Sequence, residues 1–179
     1  MIYTQNYVSP VGNLLLAESG GQLIGLWLQG QKYDKGSLRE EMQDREDSEI
    51  LCQTRRWLDR YFAGEQPRIS ELSLAPSGSQ FRQEVWKILC EIPYGEVTTY
   101  GKIAQELANR HHVSSMSAQA VGGAVAHNPI SIIIPCHRVV GTQGSLTGYA
   151  GGIDKKIWLL QREGVDLSQF FIPKKGTAL

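Results

Sequence analysis

The sequence predicts an α+β protein of two domains, the first rich in strands and the second mostly helical. In the first thirty residues, short apolar segments alternate with tight turns. From residue 81 onward, apolar residues recur at helical spacing instead. Between these regions, residues 75–79 (Ala-Pro-Ser-Gly-Ser) have the composition of a linker. The predicted domains are residues 1–75 and 79–166, followed by a C-terminal tail at 167–179 whose last part, from residue 170, is expected to be loosely ordered.

Composition excludes several classes of protein. Of the 179 residues, 41% are hydrophobic, which is typical of a globular protein and argues against disorder. No apolar run reaches the roughly 18–20 residues of a membrane helix, and the N-terminus lacks a secretion signal, so we expect a cytoplasmic protein. Three cysteines without a CxxC spacing argue against a disulfide framework or a zinc finger.

Charge is distributed unevenly although the formal net charge is zero. Residues 1–78 carry 8 basic and 11 acidic side chains, and residues 79–179 carry 10 basic and 7 acidic side chains together with all four histidines. The basic excess of the second half is compatible with nucleic-acid binding, but it is too small to establish it.

The first domain is predicted to contain strands at residues 3–8, 13–18 and 23–28. The polar stretch at 29–48 is predicted to be a solvated loop or helix face, because its most charged part has six acidic and two basic side chains at 39–49. Ser48 is a candidate N-cap of a helix that Gly64 ends, and residues 69–74 predict a further short strand.

The second domain is predicted to begin with three helices. Residues 81–91 form the first, which ends at Ile-Pro-Tyr-Gly. Thr98 or Thr99 can cap the second, and residues 117–126 predict a narrow helix of alanine and glycine. Two short helices after a longer one suggest a helix-turn-helix, although the pattern alone is equally compatible with a small helical subdomain that packs against a neighbour.

The strongest candidate for chemistry is Cys136. The β-branched run at 132–134 predicts a buried strand that ends at Pro135, and Cys136, His137 and Arg138 follow directly. Functional residues collect at strand ends, and positive neighbours favour the reactive thiolate. Adjacent side chains of an extended chain point to opposite faces, so a thiol–imidazole contact needs a bend or a water. A carboxylate should also orient the imidazole, and the pattern does not select one.

Several motifs around this cysteine form a set. They are Asn-Pro at 128–129, Ile-Pro-Cys-His-Arg-Val-Val at 134–140, Gly-Tyr-Ala-Gly-Gly at 148–152, Trp-Leu-Leu at 158–160, Glu-Gly at 163–164, and Pro-Tyr-Gly at 93–95 before Tyr100. Together they resemble the methylated-DNA–protein-cysteine methyltransferases, also called O6-alkylguanine-DNA alkyltransferases. The resemblance spans residues 78–164 and implies a winged helix-turn-helix DNA-binding domain. Residues 1–75 match the layout of the family's ribonuclease-H-like domain more loosely.

The resemblance implies a suicide repair reaction without a cofactor. Cys136 would accept the alkyl group from the O6 atom of guanine. The thioether that results would be stable, so each protein molecule would react only once. His137 would draw the thiol proton through a water while Glu163 holds the imidazole. Tyr100 would donate toward the base as guanine leaves, and Asn128 would tie the recognition helix to the segment that carries the cysteine.

The resemblance also implies the partner and its contacts. The partner would be double-stranded DNA containing O6-alkylguanine, bound by a monomer, and repair of O4-alkylthymine stays open. The base must leave the duplex, and a Gly-Ala helix at 117–126 can approach the narrow minor groove closely. The expected substrate-binding residues are Val139, Tyr149, Ala150 and Gln119. The expected DNA-binding residues are Tyr100, Ser117, Gln119, Ala120, Gly122, Gly123 and Arg138.

Two departures from the family pattern carry information. Gln119 stands where the family usually has an arginine, which fills the gap that the flipped base leaves in the base stack. We therefore expect weaker base flipping and weaker DNA affinity. Some members bind zinc in the first domain, but residues 1–78 here contain one cysteine and no histidine, and we predict no metal.

Three other classes of protein remain as alternatives. Alkyltransferase-like proteins bind damaged DNA without reacting, but they lack the cysteine. A Cys-His-Glu hydrolase would use the same three side chains and release many products per molecule. A winged-helix regulator would show a sequence preference in its DNA binding.

Overall fold

The structure is a computed structural model that describes residues 1–33, 35, 38 and 40–174. It divides into two compact units, and the α+β prediction is confirmed. The first unit consists of Met1–Ser77 and Pro129–Ile133, and the second of Gly78–Asn128 and the chain from Ile134 onward. The sequence did not predict that a short segment just before Cys136 belongs to the strand-rich unit.

The first unit is built on a four-stranded sheet with the order β3-β2-β1-β4. Strands β1 (Ile2–Ser9), β2 (Gly12–Ser19) and β3 (Gln22–Leu28) form an antiparallel meander, as predicted. Strand β4 (Met42–Asp44) pairs in parallel with β1. Helix α1 (Glu49–Phe62) buries its apolar side and contacts the first three strands.

Three details of the first unit differ from the sequence predictions. The polar stretch contains strand β4, which its charged sequence did not predict. Residues 34, 36, 37 and 39 of that stretch lie outside the described residues. Ser48 precedes α1 without capping it, because its hydroxyl donates to the buried carboxylate of Glu18 at 3.2 Å. In place of the strand predicted at 69–74, Ile69–Glu71 forms a 3₁₀ helix, and only Leu74 makes a bridge to β3.

The second unit is mostly helical. Its helices are α2 (Gln80–Cys90), α3 (Tyr100–Arg110), α4 (Ala118–Ala126) and α5 (Ile153–Arg162). Helix α4 packs against α2 and α3, and the indole of Trp86 on α2 donates to the backbone of α4 at Ala124 O. None of the helices in the described part of the chain is long and apolar enough to cross a membrane.

Each of the three helices α2 to α4 begins at a side-chain cap. Ser79, Thr99 and Ser117 accept hydrogen bonds from the backbone N–H three residues further on. Such caps satisfy donors that the first turn of a helix leaves unpaired, which is why serine and threonine favour this position. The prediction of a threonine cap at the start of the second helix is confirmed for Thr99.

The strand predicted at 132–134 is wrong. These isoleucines are buried, but the chain turns there, and Ile132 has a φ of 71°. Cys136–Arg138 then forms a single turn of 3₁₀ helix, followed by the short strand β6 (Val139–Val140), which pairs in parallel with β5 (Thr98–Thr99). An apolar β-branched run indicates that its side chains are buried, and a buried turn can bury them as well as a strand can.

The first part of the predicted tail is ordered. Leu167–Gln169 forms a 3₁₀ helix, and Phe170 packs against the buried cluster of Val140, Leu146 and Leu160. Phe171 exchanges backbone hydrogen bonds with Leu146 and Gly144. The expectation of loose order is therefore wrong for Phe170 and Phe171, and residues 175–179 lie outside the described residues.

Candidate active site

The thiol of Cys136 lies inside the second unit, and only 5% of this residue is exposed. Burial raises the pKa of the thiol, because a charged sulfur is disfavoured away from water. A hydrogen bond from Asn128, the positive charge of Lys156 and backbone N–H groups offset only part of this effect. The resting sulfur is therefore a protonated thiol that needs a base before it can act as a nucleophile.

Asn128 fixes the segment that leads to the cysteine. It is buried, and its side-chain Nδ2 donates to Ile134 O at 2.8 Å. This hydrogen bond joins the second residue after helix α4 to the residue two positions before Cys136. Asn128 therefore ties the end of α4 to the cysteine segment.

His137 and Glu163 form a fully buried pair. The imidazole Nε2 lies 2.7 Å from Glu163 Oε1, and neither side chain is exposed. Burial lowers the pKa of His137 more than the carboxylate raises it, so the neutral imidazole is favoured. Because an ionised carboxylate only accepts hydrogen bonds, Nε2 carries the proton and Nδ1 is left with a lone pair. Nδ1 has no partner among the described residues and is available as a base.

Arg138, which was expected to contact DNA, neutralises the carboxylate of this pair. Its guanidinium donates from Nε to Glu163 Oε2 at 2.8 Å, from Nη2 to Oε1 at 2.9 Å, and from Nη1 to Ile92 O at 2.7 Å. Only 8% of Arg138 is exposed. Its charged group is bound within the protein and is not presented to a ligand. Although burial raises the pKa of Glu163, His137 and Arg138 outweigh it and lower this pKa to about 2.

The Pro-Tyr-Gly motif packs against Glu163 and its partner Arg138. The ring of Tyr94 lies 5.7 Å from the Arg138 guanidinium, and its hydroxyl donates to Arg162 O at 3.2 Å. Gly95 has a φ of 80°, and a Cβ there would come within 3.0 Å of Glu163 O. Glycine is therefore required for the turn to pass this close to Glu163.

Two tyrosines complete the surroundings of the thiol. Tyr100 is buried, and its hydroxyl lies 3.3 Å from both Thr147 O and Gly148 O. The hydroxyl of Tyr149 is buried and has no hydrogen-bond partner among the described residues. Burial and the charge of the Cys136 thiolate raise the pKa of both tyrosines, so both remain hydrogen-bond donors at neutral pH. Ala150, also expected at the substrate, follows in the same half-buried loop.

Sequence reasoning missed Lys156. This residue of α5 is fully buried, and its ammonium donates to Val139 O and, at 2.9 Å, to Thr147 O. Burial lowers the pKa of Lys156 to about 8. No local signal could have revealed it, because a lysine beside Asp154 and Lys155 has the pattern of a solvated helix face. Val139, one of the expected substrate-binding residues, supplies one of the two backbone oxygens that hold this ammonium.

The residues expected to contact DNA on α4 are separate from the buried cluster. Ser117, Gln119 and Ala120 lie exposed on or just before the first turn of the helix. Gly123 is half-buried, and a Cβ there would meet no other atom within 4 Å. Gly122, also expected to contact DNA, lies on the buried side of the helix.

Within the described residues, no group of three or more histidine, cysteine, aspartate and glutamate side chains could hold a metal ion. The site described above therefore consists of a thiol, an imidazole, a neutralised carboxylate, two phenols and a buried ammonium.

Comparison with known proteins defines the class to which this site belongs. The ribonuclease-like domain of 6-O-methylguanine DNA methyltransferase matches residues 2–76, and the DNA binding domain of the same family matches residues 80–165. The methylated-DNA–protein-cysteine methyltransferase of Methanosarcina acetivorans is 42% identical over 167 residues, covering 91% of this chain and 99% of that protein. The Haemophilus influenzae protein of the same name is 38% identical, covering 92% and 87%.

Solved structures agree with this assignment. Mycobacterium tuberculosis OGT in complex with DNA has a TM-score of 0.78 and 39% identity, covering 90% of this chain and 92% of that one. The structure of the O6-methylguanine methyltransferase from the same organism has a TM-score of 0.77 and 38% identity, covering 98% and 97%. The chain belongs to the 6-O-methylguanine DNA methyltransferase family.

Proposed function

We propose that this protein repairs DNA by moving the alkyl group of O6-alkylguanine onto the sulfur of Cys136, once per molecule. The observation that carries the proposal is that His137, the residue after the cysteine, forms a buried pair with Glu163 and keeps its imidazole Nδ1 as an acceptor. The names of the relatives, methylated-DNA–protein-cysteine methyltransferases, support the same reaction.

The chemistry needs a proton acceptor for the thiol and a proton donor for the base. His137 takes the thiol proton through a water, and Glu163 stabilises the imidazolium that results. The sulfur then forms a bond to the alkyl carbon, the bond from that carbon to O6 breaks, and the electron pair returns to guanine. Tyr100 hydrogen-bonds to the leaving base, after its hydroxyl has left the two carbonyl oxygens that it contacts in this structure. The proton that His137 took from the thiol then passes to the base, so guanine leaves neutral.

The substrate is double-stranded DNA from which the damaged base has been rotated. We propose that the base is framed by backbone groups at Val139 and Ala150 and by Tyr149. Helix α4 would enter the minor groove with its exposed first turn, where Ser117, Gln119 and Ala120 lie. Close approach at Gly123 is compatible with the open space beside that residue.

We further propose that the protein acts as a monomer in the cytoplasm, without cofactor or metal. Its three cysteines are free. A reducing compartment keeps thiols in this state, which the reaction requires.

Mass spectrometry of the intact protein tests the proposed function. The protein is incubated with a duplex that contains one O6-methylguanine, and Cys136→Ser and Cys90→Ser are treated in parallel. We expect the mass to rise by one CH₂ and to saturate at one per molecule in the wild type and in Cys90→Ser, with no change in Cys136→Ser. Cys90 is a suitable control because it is a free, half-buried thiol whose pKa burial raises to about 11.

Two other results would replace the proposal with a different function. Tight, lesion-selective binding without a mass change would indicate a damage-recognition protein. Release of more product than there is protein would indicate a hydrolase.

A further inference from the structure

Lys156 carries a buried positive charge that no carboxylate balances. Its side chain is fully buried and makes no ion pair among the residues that the structure describes. We propose that Lys156 is the counter-charge of the Cys136 thiolate, a positioning residue whose ammonium is held on the backbone oxygen of Val139, directly after the turn that carries the reacting sulfur. The inference deepens the proposed alkyl transfer and rests on it for its biological meaning.

In the described part of the chain, two backbone oxygens hold the ammonium in position. Val139 O belongs to the strand that follows the cysteine turn, and Thr147 O belongs to the loop that precedes Tyr149. The hydroxyl of Tyr100 lies 3.3 Å from the same Thr147 O. The ammonium is therefore held between the segment carrying the cysteine and the loop that faces it. An unpaired buried charge is unfavourable, and its retention marks a candidate functional group.

The other charges at the site do not take this role. Glu163 is neutralised by the two hydrogen bonds from Arg138 and by its contact with His137. Because the Arg138 guanidinium is bound to this carboxylate, its charge is already compensated. Burial keeps His137 neutral in the resting state, so it does not supply a permanent positive charge either.

The remaining ionisable groups that face the sulfur are phenols. Burial and the negative charge of Cys136 raise the pKa values of Tyr100 and Tyr149, so neither carries a charge at neutral pH. The charge of Lys156 lowers the pKa of Cys136, and the charge of Cys136 raises the pKa of Lys156. Among the described residues, Lys156 is thus the cation without a carboxylate partner that acts on the thiol before His137 takes its proton.

The chemical consequence concerns the step before alkyl transfer. When the thiol loses its proton to His137, a negative sulfur must exist in a buried site, and a nearby ammonium lowers the free energy of that state. Without Lys156, less thiolate forms at neutral pH and the reaction slows in proportion.

Titration of the thiolate tests the proposal without DNA or alkyl substrate. The ultraviolet absorbance of the thiolate is followed against pH as the difference between each protein and the same protein carrying Cys136→Ser. The backgrounds are wild type, Lys156→Met, Lys156→Arg and, as a matched control, Lys155→Met on the same helix. We expect the midpoint to rise by about 1–3 pH units in Lys156→Met, to stay near wild type in Lys156→Arg, and to be unchanged in Lys155→Met.

An unchanged midpoint in folded Lys156→Met would overturn the proposal and leave Lys156 a purely structural residue. If that variant does not fold, the pKa of Lys156 is measured by NMR in the wild type and in Cys136→Ser. A lower pKa in Cys136→Ser supports the pairing, and an equal value overturns it. Neither experiment uses alkylated DNA, so failure of the proposed function and failure of this inference are separate results.

Discussion

Arg138 and Glu163 are joined by two hydrogen bonds inside the second unit, Nε to Oε2 at 2.8 Å and Nη2 to Oε1 at 2.9 Å. The same Oε1 lies 2.7 Å from His137 Nε2. The carboxylate of Glu163 thus forms hydrogen bonds with the guanidinium of Arg138 and the imidazole of His137 at the same time. The guanidinium keeps Glu163 ionised despite its burial, and the ionised carboxylate sets which imidazole nitrogen carries the proton.

The first prediction concerns the stability that this pair provides. Arg138→Met leaves a buried carboxylate without its cation, and breaking a buried pair in this way destabilises a protein by about 3–5 kcal/mol. The free energy of unfolding is measured in urea, with Lys87→Met on the exposed side of α2 as the control. If Arg138 instead contacted DNA, as the sequence predicted, the variant would lose affinity for DNA and keep the stability of the control.

The second prediction follows from the pKa of Glu163, which is about 2 in the folded protein against 4.5 for an ordinary glutamate. The unfolded chain binds this proton more readily, so the ionised carboxylate contributes stability that is fully present above about pH 4.5. That contribution is lost as the pH falls toward 2. The free energy of unfolding should therefore fall less steeply over this window in Glu163→Gln than in the wild type. Equal slopes in acid would contradict the assignment.

The features that the sequence predicted correctly are those with a local cause. The three first strands follow from apolar segments between turns, and the Thr99 cap follows from one hydroxyl beside the first turn of a helix. The features that it missed depend on partners elsewhere in the chain. Arg138 has the pattern of a free cation until Glu163, 25 residues later, folds against it.

Lys156 and the isoleucines before Cys136 show the same limit. The lysine can be buried because its ammonium donates hydrogen bonds to two carbonyl oxygens elsewhere in the chain. The helical periodicity of the sequence gives no sign of these partners. The isoleucine run correctly indicated burial, but a run of apolar residues does not distinguish a strand from a buried turn.

The third prediction concerns Asn128. Asn128→Ala removes one of the two donors to the buried Ile134 O and leaves the backbone N–H of Cys136, which should lower the free energy of unfolding by about 0.5–1.5 kcal/mol. Because the Asn128 hydrogen bond lowers the pKa of Cys136, the variant should also raise that pKa and slow methyl transfer at neutral pH. Urea denaturation and single-turnover mass spectrometry measure the two effects. Asn109→Ala, at an exposed position of α3, should show neither.

The fourth prediction isolates the hydroxyl of Tyr100. Tyr100→Phe keeps the buried ring and removes the donor, so lesion affinity should be retained while the rate of methyl transfer falls by about 10²-fold. Because the pKa of Tyr100 is raised, the hydroxyl stays protonated and the loss should not vary with pH near neutrality. Quenched single-turnover assays with Tyr7→Phe as the control measure this ratio. A rate equal to that of the control would remove Tyr100 from the reaction.

The fifth prediction concerns Gln119, exposed on the first turn of α4. An arginine there would add a positive charge and a flat group that can stack on bases, a contribution on the order of 1–3 kcal/mol. Gln119→Arg should therefore bind lesion-containing duplex more tightly and transfer the methyl group faster. Gln105→Arg places the same charge on an exposed face of α3, so a gain from charge alone would appear equally in both variants. Unchanged affinity and rate in Gln119→Arg would show that glutamine performs the flipping step as well as arginine would.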